Sequence, residues 1–108
     1  MKETSFTRSL REYVSEHGGG SYKLGASMFL AQGIPDAIYF YKGKTFLIES
    51  KVYPNKATPL QLEQVARIRE WGGFAWVATL KNGIIIIDEH SFVTVEEAFG
   101  FIIKEICG

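Results

Sequence analysis

Two runs of β-forming residues around a short turn constrain the fold of this chain more than any other feature. Residues 36–41 and 44–51 are rich in aromatic and β-branched side chains, and Lys42-Gly43 separates them. A two-residue link containing glycine between two such runs is typical of a β-hairpin. Because the turn determines the register of a hairpin, the partner of each residue can be counted outward from it.

The predicted hairpin brings two carboxylates face to face. If residues 41 and 44 pair, Asp36 lies opposite Glu49, and directly opposed Cβ atoms are about 4.5–5.5 Å apart. Like charges at that distance destabilise a sheet, and a divalent cation bound between them would offset their repulsion. Lys51 follows Glu49 by two residues, so strand alternation places both side chains on one face. The alternative interpretation of Glu49 and Lys51 is an ordinary solvated strand face.

Helices and further strands are predicted around this hairpin. An apolar stripe at helical spacing covers residues 3–17, and Thr58 and Thr94 are N-cap residues of two later helices. The order α-β-β-β-α-β-β-α predicts one mixed α+β domain over residues 1–108, an α/β architecture with a central mixed β-sheet flanked by helices. The predicted elements are helices over 3–17, 59–71 and 95–107 and strands over 21–24, 36–41, 44–51, 74–80 and 84–87.

The charge of the chain limits how it could bind nucleic acid. The formal net charge is zero, from 12 Lys+Arg and 12 Asp+Glu, which argues against a strongly basic DNA-binding protein. The charges are unevenly distributed, because residues up to Arg69 hold 10 Lys+Arg and 6 Asp+Glu, whereas the rest hold 2 and 6. Overall neutrality therefore conceals a basic part and an acidic tail.

Cysteine usage and the absence of a targeting pattern bear on the compartment. The single cysteine, Cys107, excludes an internal disulfide. The first residues form no apolar segment of the kind found in signal peptides, and the longest apolar run, 84–87, is too short to span a bilayer. We therefore expect a soluble, cytoplasmic protein with no membrane partner.

Several apolar side chains are expected in the core. Cys107 lies in the apolar pattern of the last helix, and free cysteine is commonly buried. The aromatic residues Trp71, Phe74 and Trp76 are likewise expected to be core rather than base-stacking surfaces. A short apolar group in the loop before the hairpin is expected to fill the core or contact a second copy rather than to act as a wedge in DNA, and it consists of Met28, Phe29 and Leu30.

Four short motifs in order carry a resemblance to a known family. The chain resembles the PD-(D/E)xK nucleases and, within them, the small stand-alone VRR-NUC proteins of phages. The resemblance covers about residues 3–80, and the segment 19–24 also looks like the part that follows the first helix in that group. The motifs are Gly33-Ile34-Pro35-Asp36, Glu49-Ser50-Lys51, Pro59-Leu60-Gln61 and Gly73-Phe74-Ala75-Trp76-Val77.

The resemblance implies a restriction-endonuclease-like fold and a Mg²⁺-dependent DNA endonuclease in which Mn²⁺ can substitute. Asp36 and Glu49 match the metal-binding acids of the family. Lys51 matches its catalytic lysine, which orients or activates the attacking water and stabilises the charged phosphorane. The backbone carbonyl of Ser50 would be a further metal ligand.

Two more residues are candidates for the same site. The family carries a glutamate on its first helix, and Glu3 lies on the apolar stripe of that helix whereas Glu12 points away from it. The alternative role of Glu3 is that of an ordinary acid at a helix N-terminus. Gln61 matches the helix glutamine beside the family's active site, and its alternative role is a capping box with Thr58.

The family resemblance also suggests a substrate and an assembly. It implies a structure-specific nuclease that acts on branched DNA, similar to Holliday-junction resolvases, and that works as a homodimer in the cytoplasm, or in the host cytoplasm if a phage encodes it. The competing interpretation is a catalytically silent DNA-binding or scaffold module of the same fold. A sequence-specific restriction enzyme is disfavoured because the chain has no added target-recognition domain.

Overall fold

The computed structural model describes residues 2–25 and 32–108, and the predicted role of Met28, Phe29 and Leu30 lies outside these residues. Three helices and six strands form this part of the chain. Their bounds are α1 Glu3–Glu16, β1 Gly20–Lys23, β2 Ala37–Tyr41, β3 Lys44–Val52, α2 Pro59–Glu70, β4 Ala75–Lys81, β5 Ile84–Ile87, β6 His90–Phe92 and α3 Val95–Cys107. None of the helices within these ranges is long and apolar enough to cross a membrane.

The six strands form one mixed sheet in which spatial order follows chain order. Neighbouring strands are antiparallel except β3 and β4, which are parallel because α2 provides the crossover between them. The mixed sheet flanked by helices confirms the predicted fold class. The predicted element order omits β6, which has three residues and too short a pattern to recognise. Pairing with β5, which places Ile87 opposite His90, makes these residues a strand.

The register predicted from the Lys42-Gly43 turn is confirmed. Tyr41 pairs with Lys44, and the pairing continues without a bulge to Ala37 and Ile48. Both turn residues have positive φ, 48° for Lys42 and 78° for Gly43, as a two-residue turn matched to the twist of the strands requires.

The main core lies between one face of the sheet and two helices. Alternate residues of β2 and β3, including Tyr39, Phe46 and Ile48, are fully buried on this face. They pack against the apolar stripes of α1 and α3, represented by Leu10 and Phe99. The other face carries α2 over β4 and β5.

Two of the side chains expected in the core are exposed. Trp76 is buried and Phe74 packs against the core, as predicted, but Trp71 is 75% exposed at the C-terminal end of α2. Only Gln64 and Val65 of that helix are buried, so its last turn does not direct Trp71 inward. Cys107 is also exposed, because it follows Ile106 by one residue and a helix turns about 100° at each step.

Candidate active site

Three carboxylates meet at one end of the hairpin. Glu3 comes from the first turn of α1, Asp36 immediately precedes β2, and Glu49 lies within β3. Oxygen atoms from the three side chains lie within 4.8 Å of one another. The hairpin register accounts for the closeness of Asp36 and Glu49, and packing of α1 on the sheet brings Glu3 to them.

The turn before β2 holds Asp36 in position. Gly33 has φ +80°, and a Cβ atom there would lie 2.9 Å from the backbone of Leu60 at the start of α2. Pro35 is fully buried, and the carbonyl of Asp36 accepts a 2.7 Å hydrogen bond from the N–H of Leu24. The Gly-x-Pro-Asp motif is therefore a tight turn enclosed by β1 and α2.

The two carboxylate oxygens of Asp36 have different surroundings. Oδ2 accepts a hydrogen bond from Thr7 Oγ1 at 3.3 Å and another from the N–H of Ser50 at 3.4 Å. Oδ1 is buried and has no hydrogen-bond partner among the described residues. Buried polar atoms are almost always satisfied, so a group that supplies positive charge fits this position. The donor set of three carboxylates is the kind that hard divalent cations take.

Burial and mutual repulsion perturb the acids. Burial and, after it, the nearby charge of Glu49 raise the pKa of Asp36 to about 7, and the hydrogen bond from Ser50 opposes the rise. Burial also raises the pKa of Glu49, with the Lys51 ammonium opposing the change. These carboxyls compete with one another for ionisation, so a cation that displaces their protons would relieve both burial and repulsion.

Lys51 lies beside Glu49 on the same face of β3. Its Nζ is 3.3 Å from Glu49 Oε2, and its side chain is only 12% exposed. An ammonium carries three donors, so one can bind Glu49 while others contact a substrate oxygen. The predicted arrangement of Glu49 and Lys51 on one strand face is therefore present, with Glu49 buried and Lys51 largely shielded from solvent.

Ser50 connects the two acidic strands through its backbone. Its N–H donates to Asp36, and its side chain lies on the opposite face of β3, where Oγ is buried without a hydrogen-bond partner among the described residues. The role of its carbonyl as a metal ligand stays a prediction.

The contacts of Gln61 are those of the capping box. Its Oε1 accepts from the N–H of Thr58 at 2.9 Å, and its own N–H donates to Thr58 Oγ1 at 3.1 Å. Its role in the site stays a prediction. On α1, Glu12 is exposed and paired loosely with Arg8 at 3.9 Å, in agreement with the choice of Glu3 over Glu12.

Sequence reasoning missed two residues around the site. Thr7, which is 3% exposed, follows Glu3 by one helical turn, so the same spacing that selected Glu3 could have indicated it. Gln64 is 7% exposed, and its Nε2 donates to the carbonyl of Gln32 at 3.0 Å. This contact ties α2 to the turn that carries Asp36. The sequence feature that could have indicated Gln64 is its position, because it is a polar residue three positions after Gln61, on the inner side of α2.

Solved structures similar to this chain include a resolvase and a nuclease domain. Hjc, a Holliday junction resolvase from the archaeal hyperthermophile Archaeoglobus fulgidus, matches with a TM-score of 0.58 and 19% identity, over 78% of this chain and 75% of that chain. A VRR_NUC domain matches with a TM-score of 0.61 and 26% identity, over 69% of this chain and 81% of that chain. No protein-family model matches the sequence, and no curated protein is significantly similar to it.

These likenesses confirm the fold and the resemblance that the motifs indicated. The chain has the restriction-endonuclease-like fold, and the two similar structures are PD-(D/E)xK nucleases, one of them a VRR-NUC domain. The phage origin and the roles of individual residues stay predictions.

Proposed function

We propose that this chain is a metal-dependent, structure-specific DNA endonuclease that hydrolyses phosphodiester bonds. The observation that carries the proposal is the cluster of Glu3, Asp36 and Glu49 with the buried ammonium of Lys51 beside it. The cluster lies on a fold shared with a Holliday junction resolvase and a VRR_NUC domain.

The acidic cluster is the proposed site of Mg²⁺, with Mn²⁺ able to substitute. Glu3, Asp36, Glu49 and the carbonyl of Ser50 would hold the cation, and the unpartnered Oδ1 of Asp36 supports that assignment. A bound divalent cation supplies Lewis-acid activation of water and neutralises charge on the phosphate. Thr7 and the N–H of Ser50 hold Oδ2 of Asp36, and so they orient its carboxylate toward the cluster.

Lys51 is the proposed catalytic residue for the attacking water and the reacting phosphate. Glu49 holds the ammonium within 3.3 Å, which restricts its rotamers in a site that is largely closed to solvent. A fixed cation in such surroundings stabilises negative charge that develops on a phosphate oxygen more strongly than one in water. The side-chain amide nitrogen of Gln61, at the start of α2, is a proposed further contact to the substrate.

Branched DNA is the proposed substrate, and a homodimer in the cytoplasm is the proposed assembly. The likeness to Hjc supports a junction or a flap rather than linear duplex, and the proposed nuclease domain comprises residues 1–108. A four-way junction has two symmetric strands to cut, which two copies of one site could reach.

Cleavage of a synthetic four-way junction, compared with linear duplex and single strands, tests this proposal. We expect cleavage with Mg²⁺ or Mn²⁺ and none with EDTA. Glu49→Gln and Lys51→Met keep the size of the buried side chains, and each should lower the rate by roughly 10²-fold or more. Glu12→Gln, at the exposed acid of α1, is the matched control and should cleave as wild type.

Two outcomes would count against the nuclease. Cleavage by Lys51→Met at the wild-type rate would remove Lys51 from the mechanism. Binding of the junction without cleavage in either metal would favour a silent DNA-binding or scaffold module.

A further inference from the structure

A polar cleft of about 430 Å³ lies between α1 and β1, the outermost strand of the described sheet. Five of the six residues that line it have a basic side chain, a hydroxyl or no side chain at all, and the sixth is an acid. The lining consists of Arg8, Arg11, Glu12, Ser15, Gly20 and Ser21. We call this feature the α1–β1 cleft.

Arg11 has different surroundings from the other arginines of the chain. Three of the four arginines pair with a carboxylate among the described residues, namely Arg8 with Glu12, Arg67 with Glu63 and Arg69 with Asp88. Arg11 instead donates from Nε to the neutral Ser21 Oγ at 2.9 Å, and it is half-buried. A charge that is partly removed from water is usually paired, because its desolvation costs free energy. The guanidinium of Arg11 therefore fits an anion that comes from outside the chain.

An ordinary solvated helix face explains Arg11 less well. On such a face an arginine meets an acid three or four residues away, as Arg67 meets Glu63 on α2. The residues four positions from Arg11 are Thr7 and Ser15, and those three positions away are Arg8 and Val14. Since none of these four neighbours is acidic, α1 itself supplies no counter-charge to Arg11.

The groups in the cleft suit a phosphate. Nε of Arg11 is held by Ser21, and the two terminal nitrogens make no hydrogen bond within the described part of the chain. A guanidinium can bind two oxygens of one phosphate through parallel N–H groups. The hydroxyl of Ser21 accepts from Arg11 and keeps its own hydrogen to donate. The cleft thus combines a positioned bidentate donor with a hydroxyl.

Further positive charge lies on the same side of the sheet as the cleft. Ser21 faces α1, as its contact with Arg11 shows, and strand alternation places the exposed Lys23 on that face too. Arg8 is 73% exposed and lies 3.9 Å from Glu12, which is 64% exposed. Such an exposed pair contributes little and leaves Arg8 able to bind another anion. The cleft and Lys23 therefore carry three positive charges and one negative charge.

The α1–β1 cleft continues from the acidic site along α1. Thr7, which donates to Asp36, precedes Arg11 by one helical turn. Lys23 pairs with Ala37, the residue that follows Asp36, so along β1 it lies nearer the acids than Ser21 does. Both elements that form the cleft therefore also reach the acidic site.

The spacing between the acidic site and the cleft matches a few nucleotides of DNA. At 1.5 Å per residue, Arg11 lies about 12 Å from Glu3 along the axis of α1. One strand of B-form DNA advances about 3.4 Å along its axis per nucleotide. A strand with one phosphate at the carboxylates could therefore place another in the cleft three or four nucleotides away.

We propose that the α1–β1 cleft binds a backbone phosphate of the DNA substrate a few nucleotides from the phosphate that is cut. Arg11 is the main contact, Ser21 positions it, and Arg8 and Lys23 supply further positive charge. This inference rests on the proposed nuclease function and deepens it, because it identifies the surface along which one arm of the DNA is held. Phosphate contacts position DNA without reading its sequence, so the cleft favours no particular bases.

Binding measured without metal tests this inference separately from the nuclease reaction. Fluorescence anisotropy of a labelled four-way junction is measured in EDTA between 50 and 200 mM salt, for wild type and for Arg8→Gln/Arg11→Gln. Glutamine removes the charge and keeps a side chain that can still bond to Ser21. Affinity at the lowest salt concentration should fall about tenfold or more. The slope of log K against log salt concentration should become shallower by about 2, since each lost phosphate contact removes about 0.9.

Three single variants separate phosphate binding from other effects. Arg67→Gln removes the same charge from α2 and should keep the wild-type slope. Lys23→Gln changes only an exposed side chain and should make the slope shallower by about 1. Arg11→Lys keeps the charge and should keep the slope, but its affinity should be lower because an ammonium lacks the planar pair of donors.

Two results would overturn the inference. The first is a wild-type salt slope in both Arg8→Gln/Arg11→Gln and Lys23→Gln. The second is weaker binding that accompanies a change in sedimentation from dimer to monomer, because this would assign the cleft to an acid of a second copy.

The two proposals can fail independently. A protein that loses junction affinity with Arg8 and Arg11 but cuts no DNA in Mg²⁺ or Mn²⁺ would refute the nuclease and leave the cleft. A protein that cuts junctions, and whose variants keep the wild-type salt slope, would refute the cleft and leave the nuclease.

Discussion

Asp36 is the residue at which the stability of the metal-free fold and the requirements of a cation site conflict most. Its Oδ2 has two donors, its Oδ1 has no partner among the described residues, and a second acid lies close by. Such a group destabilises the metal-free protein when it ionises. Because a cation would bind only the folded state, its binding would stabilise the fold and offset this loss of stability.

The raised pKa of Asp36 predicts an unusual pH dependence of stability. Its pKa is about 7 in the folded protein against 3.8 for the free side chain, so the folded state binds more protons between these values. Stability in EDTA should therefore fall as the pH rises from 4 to 8. A shift of one pKa unit changes the free energy of unfolding by about 1.4 kcal/mol. The midpoint of thermal unfolding should therefore drop by several degrees over this pH range.

Asp36→Asn should flatten most of this slope, and the raised pKa of Glu49 should leave a smaller slope of the same sign. Glu12→Gln, at an exposed acid, should keep the wild-type slope. Thermal unfolding in EDTA at a series of pH values measures the slope of stability against pH for both variants. A wild-type midpoint that rises steadily from pH 4 to 8 would contradict the burial of an ionisable Asp36.

Thr7 is predicted to orient Asp36 rather than to stabilise the core. Thr7→Val keeps the shape and removes the hydroxyl that donates to Oδ2 at 3.3 Å. Loss of a contact that orients a ligand typically weakens metal binding by 10–100-fold, so we expect Mg²⁺ affinity to fall about tenfold. Isothermal titration measures this directly, and Thr7→Ser should restore most of the affinity. Equal affinities in valine and serine variants would indicate that the hydroxyl has no role at the site.

At the scale of elements, the turn before β2 joins three parts of the fold at the site. Gly33 packs against the start of α2, and Gln64 of α2 donates to the carbonyl of Gln32. The carbonyl of Asp36 accepts a hydrogen bond from the N–H of Leu24, the residue that follows β1. These contacts are short in space and distant in sequence. These contacts therefore fix the turn, and with it the Asp36 carboxylate, relative to α2 and β1.

A pair of glycine variants can separate backbone strain from close packing. Gly33 and Gly43 have φ of +80° and +78°, but a Cβ atom meets Leu60 only at Gly33 and open space at Gly43. Gly43→Ala should cost about 1 kcal/mol from strain alone, and Gly33→Ala should cost about 2–3 kcal/mol because the neighbour must also move. Urea unfolding of both variants measures the difference, and equal costs would show that the contact with Leu60 is loose.

At the scale of the whole molecule, the distribution of charge limits how DNA is bound. The part up to Arg69 holds 10 Lys+Arg and 6 Asp+Glu, and the acidic remainder holds 2 and 6. The basic part includes α1, β2 and β3, which carry the acidic cluster, whereas the acidic remainder includes α3, on the opposite face of the sheet from Glu49 and Lys51. Binding should therefore depend on a few phosphate contacts near the site.

This charge distribution predicts a modest dependence of DNA affinity on salt. With about four phosphates contacted per copy, the slope of log K against log salt concentration should be roughly −3 to −4. Anisotropy titrations of a four-way junction between 50 and 200 mM salt, run in EDTA, measure this slope per copy. A slope twice as steep would mean that many more phosphates are bound than this surface provides.

The hairpin site was predictable because its information is local. A two-residue turn determines the register, and the register determines that Asp36 faces Glu49 and that Lys51 shares the face of Glu49. Helical spacing on α1 likewise favoured Glu3 over Glu12. The errors lie where a side chain depends on what an element packs against. Cys107 lies one residue past buried Ile106, and Trp71 follows the exposed last turn of α2.

The sequence by itself determined the pairing of β2 with β3, the helix starts and the residues that form the acidic motif, because these follow from turns, caps and periodicity over a few residues. Only the tertiary structure decided that Glu3 joins the carboxylates, that Thr7 and Ser50 hold Asp36, and that β6 exists. It alone decided that Arg11 lies against Ser21 rather than against an acid. The reason is physical: these features depend on the packing of elements far apart in the chain, and local preferences do not encode which faces meet.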